Sequence, residues 1–204
     1  MVLSLFKSEQ PPLPTRLPGE RIYIRAPEKA DATAWVSVRG RNAGFLKPWS
    51  PAAAMNNITR EGYLQRLPCY LDDWKDDIAY TFFIFRQDTD SLIGGVTLNN
   101  IVRGAGQMGT LGYWLDEAET RQGFMTEAVL LACQFAFVSL RLHRVQAGTL
   151  PENVASQKVL QNCGFVPEGL ARKYIRIDGA WRDHQMFSLI ADEFISLGAL
   201  RTGA

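Results

Sequence analysis

The chain alternates apolar and polar positions over several stretches, which is the pattern of half-buried strands. The strands that this alternation predicts are 21–25, 79–86, 92–102, 110–116, 143–149, 165–177 and 181–190. The second, third and fourth are consecutive and joined by short links, so they predict an antiparallel meander. The last two flank Asp178-Gly179, a pair that tolerates the positive φ angles of a hairpin turn.

Apolar residues spaced by three and four predict helices between these strands. The predicted helices are 29–39, 59–74 with a disturbance at Pro68, 122–140, and one that begins at Glu152 or Asn153 and is closed by Gly164. Phe45–Trp49 is predicted as a loop, because Pro48 and Pro51 break regular structure. The resulting order, β-α-α-β-β-β-α-β-α-β-β, predicts an α+β fold.

Length and cysteine usage favour one domain in a reducing compartment. The 204 residues suit a single core. We expect the domain to span 20–195, with a proline-rich extended arm over 1–19 and a tail over 196–204. Three cysteines, far apart and odd in number, predict free thiols that are mostly buried, and no zinc site.

The net charge of +1 argues against a chain that binds nucleic acid through its overall charge. No stretch approaches the roughly 20 apolar residues that span a bilayer, and Met1–Phe6 is too short for the apolar core of a signal peptide. We therefore expect a soluble cytoplasmic protein, monomeric or homodimeric, that uses no metal and binds neither membrane nor a specific nucleic acid.

Candidate chemistry concentrates where the strand 110–116 leads into the helix 122–140. Leu111-Gly112-Tyr113-Trp114-Leu115 is followed, after a short loop, by Thr120-Arg121-Gln122-Gly123-Phe124-Met125-Thr126-Glu127. Backbone N–H groups at a helix N-terminus point towards an incoming anion, and a glycine lets the backbone approach phosphate oxygens closely. The same spacing also fits an ordinary strand-to-helix turn, so the motif alone leaves both interpretations open.

This segment resembles the pyrophosphate loop of the GNAT acetyltransferases, Q/R-x-x-G-x-G/A. Gly123 falls on the first glycine, Met125 on the second small position, and Thr120 where glutamine or arginine is usual. A second segment, Asn153-Val154-Ala155-Ser156 with the closing Gly164-Phe165, resembles the family's N-x-x-S helix. The resemblance implies a GNAT fold, an α/β/α sandwich with a mixed, mostly antiparallel central sheet, and acetyl-CoA as the co-substrate.

The resemblance also implies which residues bind the cofactor. They are Tyr113, Trp114, Leu115, Arg121, Gln122, Gly123, Phe124, Met125, Thr126, Asn153 and Ser156. Arg121 could supply the phosphate charge that Thr120 lacks, and Asn153 would bond the pantetheine arm. Taken alone, Asn153 and Ser156 also fit an N-cap and an early-helix polar residue.

Shorter segments resemble a narrower branch of the family, the RimJ type of ribosomal-protein-alanine N-acetyltransferase. These segments are Phe45–Trp49, Asn100–Gly104, His143–Val145 and Ile177–His184. The branch implies a transferase that acetylates the N-terminal alanine of a ribosomal protein, which would then be the partner of this chain.

In a GNAT reaction a neutral amine attacks the thioester directly, so the enzyme aligns the substrates, polarises the carbonyl and protonates the departing thiolate. A backbone N–H of Tyr113–Leu115 would polarise the carbonyl. Ser156 is the first candidate to protonate the thiolate and Tyr174 the second, because the tyrosine that many relatives place later in that helix falls on Leu160.

No general base stands out. Glu127 fits a helix-dipole role, and His143 and His184 fit structural roles better than catalytic ones. A protein α-amino group has a pKa near 8, so about a tenth of it is neutral at pH 7, and an N-terminal acceptor tolerates a missing base. The residues that the resemblance places along the acceptor cleft are Trp49, Tyr174, Arg176 and Trp181.

Two other functions remain open from the sequence. One is acetylation of a small amine such as an antibiotic or a polyamine. Its local acid would come from Asp72, Asp73, Asp76 and Asp77, which also fit a solvated helix end. The other is a non-catalytic, CoA-binding ribosome-assembly factor. The reason to consider it is that Thr120 and Met125 depart from the family's loop pattern.

Overall fold

The computed structural model describes residues 16–202, and the strands of this range form one sheet. The strands are β1 (Leu17–Pro18), β2 (Ile22–Arg25), β3 (Tyr80–Arg86), β4 (Leu92–Val102), β5 (Met108–Leu115), β6 (Arg144–Thr149), β7 (Val166–Ile177) and β8 (Ala180–Ile190). The helices are α1 (Ala32–Arg41), α2 (Ala43–Leu46), α3 (Ala52–Met55), α4 (Arg60–Lys75), α5 (Phe124–Gln134), α6 (Val154–Asn162) and α7 (Ala191–Thr202). Short 3-10 turns lie at Lys29–Asp31, Lys47–Trp49 and Glu117–Glu119, and a π-helical segment, Phe135–Ser139, extends α5.

The strands lie in the order β1-β2-β3-β4-β5-β6-β8-β7. Neighbours are antiparallel throughout, except for β5 and β6, which run parallel. The predicted meander of β3, β4 and β5 is confirmed. A parallel pair inside an antiparallel sheet requires a crossover, and α5 supplies it.

Both faces of this sheet are covered, as β3 illustrates. Tyr80, Phe82 and Ile84 lie in one apolar cluster, and Phe83 and Phe85 lie in a second, because successive side chains point to opposite faces. The helix α5 covers the first cluster, and α1 and α4 cover the second with Trp35 and Tyr63. Burying each of these large apolar side chains contributes about 1.5–3 kcal/mol. The predicted α/β/α sandwich is confirmed.

Local signals explain most element boundaries. Thr59 caps α4, its Oγ1 accepting the N–H of Gly62 at 3.0 Å, and the helix continues through Pro68 to Lys75. The turn at Asp178-Gly179 has φ angles of 44° and 84°, as the hairpin prediction requires. Gly164, which follows α6, has a φ of 90°, the left-handed conformation predicted for it.

The prediction of a loop at Phe45–Trp49 is wrong. Its first residues belong to α2, and Lys47–Trp49 forms a 3-10 turn. Pro48 lies in the first turn of that segment, where a backbone N–H has no intrahelical partner and its loss costs little. The proline therefore begins a short helix here and does not interrupt one.

The two ends of the described range carry structure that the sequence did not predict. At the end of the predicted arm, Leu17–Pro18 pairs with β2, and Leu17 packs against the core. Residues 196–202 of the predicted tail belong to α7, whose first turn carries Asp192 and Glu193 in agreement with the helix dipole. Predictions for 1–15 and 203–204 fall outside the described residues.

The cysteines agree with the sequence analysis. None of the three forms a disulfide within residues 16–202; Cys133 and Cys163 are buried, and Cys69 is exposed. Burial, together with the neighbouring Cys163 thiol, raises the pKa of Cys133 well above its ordinary value. Cys133 is therefore a packing residue of α5.

Candidate active site

The sheet opens at its centre, between its two parallel strands. β5 and β6 pair only where Met108–Thr110 faces Arg144–Gln146. Beyond that point 111–115 pairs with β4 and 147–149 pairs with β8. We call the gap between these two segments the wedge. Within residues 16–202 no strand pairs with the edges that line the wedge, so their backbone N–H and C=O groups can bond an extended ligand.

Two hydroxyl groups join the sides of the wedge. The phenol oxygen of Tyr113, on β5, lies 2.8 Å from Oγ of Ser156, on α6, and 3.2 Å from the carbonyl oxygen of the same residue. Burial raises the pKa of Tyr113 above its ordinary value, although the hydrogen bond with Ser156 acts in the opposite direction. The phenol therefore keeps its proton at neutral pH and can pass it to Ser156 when that hydroxyl loses its own.

The start of α6 fixes the position of Ser156. Asn153 is the N-cap, and its Oδ1 accepts the N–H of Ser156 at 3.1 Å. Glu152 forms an ion pair with Arg182 on β8, which ties the preceding turn to the sheet. Asn153 thus has the capping role that the sequence left open, and within the described range its Nδ2 group makes no hydrogen bond and can still bond a ligand.

Residues 120–126, here called the glycine loop, lead into α5. Thr120 Oγ1 and Gln122 Nε2 donate hydrogen bonds to carbonyl oxygens of the preceding 3-10 turn, at 2.8 and 3.3 Å. Both side chains therefore stabilise the chain that precedes the helix. Arg121 and Gly123 have φ angles of 61° and 85°. Glycine avoids the strain that a side chain would bring at this angle.

Phe124 and Met125 take part in the loop through their main chain. Their side chains are 5% and 6% exposed and pack in the core. The backbone N–H groups in this first turn of α5 have no intrahelical partner and carry the positive end of the helix dipole. The family usually has a small residue at this position. The longer side chain of Met125 is accommodated here because it packs into the core.

Asp116 anchors the chain where β5 ends. It is 3% exposed, its Oδ1 accepts from Asn42 Nδ2 at 2.8 Å, and Arg41 Nε donates to its Oδ2 at 3.1 Å. Burial acts to raise the pKa of Asp116, but hydrogen bonds from Arg41, Asn42 and a backbone N–H outweigh it and hold the pKa below its ordinary value. The carboxylate thereby links the end of α1 to the turn before the glycine loop.

Glu127, in the first turn of α5, contacts β2. Its Oε1 accepts the N–H groups of Arg21 and Ile22 at 2.8 and 3.3 Å, and its Oε2 lies 3.3 Å from Arg21 Nε. The sequence predicted only an interaction with the helix dipole for this carboxylate, whereas the structure gives it direct hydrogen bonds to Arg21 and Ile22. The geometry gives Glu127 no role as a base.

The segment 47–50 contacts the tip of the β7-β8 hairpin. Asp178 donates its N–H to Ser50 O at 3.4 Å, and Lys47 Nζ lies 3.8 Å from Asp178 Oδ1. Trp49 and Trp181 are 37% and 62% exposed. Large aromatic side chains this exposed do not belong to the core, so both remain candidates for contacting an acceptor.

The other hairpin candidates are engaged more locally. Arg176 Nε donates to Gly179 O at 2.9 Å, which closes the turn. Tyr174 is 41% exposed, and its ring lies edge-on to His184 with centroids 5.9 Å apart. His184 is buried, with Nδ1 3.0 Å from the carbonyl oxygen of Arg182, which suits the structural role expected for it. No described contact brings Tyr174 to Ser156, so Tyr113 takes its place as the phenol beside that serine.

Two side-chain contacts at the site were absent from the sequence analysis. Tyr113 was expected to act through its backbone, but its hydroxyl also contacts Ser156, which lies 43 residues further along the chain. Arg21 meets Glu127 across 106 residues. No local spacing signals such contacts, because they depend on how the strands are ordered in the sheet.

Over the described residues, no cluster of His, Cys, Asp and Glu is arranged to hold a metal ion. No helix there is long and apolar enough to cross a membrane. The site combines a positive helix terminus, the open backbone edges of the wedge and the Tyr113–Ser156 pair.

The fold and this site together are those of an acetyl-CoA-dependent N-acetyltransferase. Residues 21–166 match the family model described as an acetyltransferase (GNAT) domain, and the chain belongs to that family.

Relatives cover nearly the whole domain. The chain is 41% identical to the probable N-acetyltransferase YjcK of Bacillus subtilis over 85% of its own length and 96% of that protein. It is 31% identical to the [ribosomal protein uS5]-alanine N-acetyltransferase of Escherichia coli, over 88% of this chain and 92% of that enzyme. The structure of Mycobacterium smegmatis RimJ in complex with CoA-disulfide superposes with a TM-score of 0.80 at 27% identity, covering 87% of this chain and 89% of that one.

Proposed function

We propose that the protein transfers the acetyl group of acetyl-CoA to the N-terminal alanine of a ribosomal protein. The observation that supports this acceptor is the 31% identity, over nearly full length, to the E. coli enzyme of that specificity. The structure of RimJ with CoA-disulfide supports the cofactor. The acceptor would be met in the cytoplasm, where ribosomal proteins are made.

The glycine loop and the wedge divide the work of binding acetyl-CoA. The pyrophosphate lies against the backbone N–H groups at the start of α5, where Gly123 permits close approach. The pantetheine arm lies along the open edges of β5 and β6, with Asn153 Nδ2 as a side-chain donor. A backbone N–H in 113–115 then polarises the thioester carbonyl.

Ser156 and Tyr113 handle the proton of the leaving group. The neutral amine attacks the thioester carbon, the C–S bond breaks, and CoA leaves as a thiolate. Ser156 gives its proton to that thiolate and takes the proton of the Tyr113 phenol, 2.8 Å away. The positively charged nitrogen of the acceptor loses its proton to water. The Tyr113 phenolate then regains a proton from the solvent.

No base is placed at the site among residues 16–202, and this favours an α-amine over a lysine side chain as the acceptor. At pH 7 about a tenth of an α-amino group is neutral, against well under a thousandth of a lysine amine. The carboxylate of Glu127 is engaged by β2, and His184 is buried against a carbonyl oxygen. Neither group is placed to deprotonate an acceptor.

The structure weakens the case for a polyamine acceptor. Asp77 bonds Arg103 and Tyr80, and Asp72 pairs with Lys75. These groups lie near the end of β4 and the start of β5, whereas the wedge opens towards the end of β5. Asp72 and Asp77 therefore stabilise the end of α4, at the opposite end of β5 from the wedge.

The structure also weakens the argument for a non-catalytic factor. Thr120 bonds the preceding 3-10 turn, and Met125 packs in the core. Both departures from the family pattern leave the main-chain amides of the loop in place.

The test is to incubate the protein with acetyl-CoA and unacetylated ribosomal proteins and to measure intact masses. We expect one protein with an alanine N-terminus to gain a single acetyl group, and the Ser156→Ala variant to do so much more slowly. Transfer to spermidine or an aminoglycoside with no gain on any ribosomal protein would contradict the proposed acceptor. CoA binding without transfer to any amine would favour the non-catalytic factor.

A further inference from the structure

Arg21 lies just before β2, and its side chain reaches the glycine loop. Its Nη1 donates a hydrogen bond to the carbonyl oxygen of Gln122 at 2.8 Å. Its Nη2 lies 3.1 Å from the point that a Cβ on Gly123 would occupy. Its guanidinium carbon also lies 4.9 Å from the centroid of the Phe124 ring, the first residue of α5. Arg21 therefore contacts three consecutive residues at the centre of the loop.

The contact with Gln122 bears on the direction of an N–H group. In a trans peptide the C=O of one residue and the N–H of the next lie in the same plane and point in opposite directions, and the described chain has no cis peptide bond. A guanidinium that holds the carbonyl of Gln122 therefore turns the N–H of Gly123 away from itself. That N–H belongs to the turn at which the phosphates would lie.

This orientation needs an external partner, because Gly123 cannot supply it. At a φ of 85°, glycine is free of the steric limits that fix other residues, so the peptide plane before it can rotate more readily. A loop that rotates must be ordered when the ligand binds, and that ordering lowers affinity.

Arg21 is itself held in place. Glu127 accepts the backbone N–H of Arg21 at 2.8 Å and pairs with its Nε at 3.3 Å. The carboxylate approaches so closely that a Cβ on Gly19 would lie 2.4 Å from Glu127 Oε1. Gly19, Arg21 and Glu127 thus form a rigid contact between the start of β2 and the first turn of α5.

We propose that Arg21 is a positioning residue for the cofactor: by holding the carbonyl of Gln122, it directs the N–H of Gly123 at the pyrophosphate. This inference rests on the proposed binding of acetyl-CoA at the glycine loop. It adds a residue outside the family's loop motif to the site, and it gives Glu127 the task of holding that residue.

The matched control is Arg86. Its guanidinium carbon also lies beside the Phe124 ring, at 5.3 Å, but the side chain bonds Asp88 and Glu119 and makes no described hydrogen bond to the glycine loop. Arg21→Met and Arg86→Met therefore remove the same charge at similar distances from the helix terminus. Only the first removes the bond to the carbonyl of Gln122.

The experiment measures dissociation constants of CoA, ADP and pantetheine by calorimetry for wild type, Arg21→Met, Arg21→Lys and Arg86→Met. A hydrogen bond to a charged group that is lost or misdirected corresponds to about tenfold in affinity. We expect Arg21→Met to weaken CoA and ADP about tenfold and pantetheine less than twofold. Arg21→Lys should recover part of the loss, and Arg86→Met should weaken CoA less than threefold.

Three results would overturn the inference. Equal losses in Arg21→Met and Arg86→Met would mean that charge alone matters. Equal losses for CoA and pantetheine in Arg21→Met would mean a general disturbance of the site. Full affinity of Arg21→Met and Arg21→Lys for CoA would mean that the contact does not position the loop. Failure of the wild-type protein to bind CoA would instead refute the proposed function, and this inference with it.

Discussion

Removing the phenol oxygen of Tyr113 separates its proposed catalytic role from its structural one. In Tyr113→Phe the ring stays in place and only the hydroxyl that lies 2.8 Å from Ser156 Oγ is lost. A hydrogen bond between neutral groups contributes about 1 kcal/mol to the free energy of unfolding. For a domain of this size, that loss lowers Tm by about 2–4 °C.

The expected effect on turnover is much larger. A positioned acid contributes on the order of 10²-fold to the rate, so kcat for an alanine-starting peptide should fall about a hundredfold while KM for acetyl-CoA changes little. The assay is release of the CoA thiol at saturating acetyl-CoA. Ser156→Ala should lower kcat to a similar extent, and the double variant should be no slower than the slower single one, because the two hydroxyls act as one unit.

A control variant gives the size of a purely structural effect. The hydroxyl of Tyr80 donates to Asp77 Oδ1 at 2.6 Å, at the start of β3 and away from the wedge, so Tyr80→Phe should lower Tm without lowering kcat. The reasoning is refuted if Tyr113→Phe keeps kcat within twofold of wild type. It is also refuted if the losses in the two single variants multiply in the double variant.

Three further changes test other parts of the site. Gly123→Ala places a side chain at a φ of 85°, a strain of about 1–2 kcal/mol; KM for acetyl-CoA should rise about tenfold in initial-rate assays, and an unchanged KM would contradict the role of that turn. Asp116→Asn should lower the free energy of unfolding by about 1–3 kcal/mol at pH 7 in urea titrations. Because the folded pKa of Asp116 is depressed, its carboxylate stabilises the fold above the unfolded pKa near 3.9 and loses this effect as the pH falls through the folded pKa; a difference from wild type that does not shrink as the pH is lowered below about 3.9 would contradict this. The raised pKa of Tyr113 keeps the phenol protonated, so kcat/KM for the peptide should rise with pH to a plateau above about pH 8, where the α-amine is neutral; a falling limb between pH 8 and 9.5 would show that a different acid is in use.

Local signals in the sequence predicted most elements of the fold. The turn at Asp178-Gly179 and the caps at Thr59 and Asn153 each depend on residues within a few positions of one another. The same rules failed at Pro48, because proline interrupts a helix interior but is tolerated in a first turn, and the sequence did not show which position it occupied.

The candidate site was predictable only in part. The glycine loop and the Asn153–Ser156 segment are continuous motifs, and the structure places both beside the wedge. The contacts of Tyr113 with Ser156 and of Arg21 with Glu127 depend on the order of strands in the sheet, and that order is set by packing of the whole domain. The sequence therefore indicated the glycine loop but not the residues that hold it or the phenol beside Ser156.

The most direct test of the central claim uses one peptide that begins with alanine and carries an internal lysine. The protein is incubated with this peptide and acetyl-CoA, the released thiol is counted, and tandem mass spectrometry locates the acetyl group. We predict one thiol released for each acetyl group gained, with the group on the α-amine and none on the lysine. Acetylation of the lysine alone, or thiol release with an unmodified peptide, would contradict the claim that this site is an N-terminal acetyltransferase.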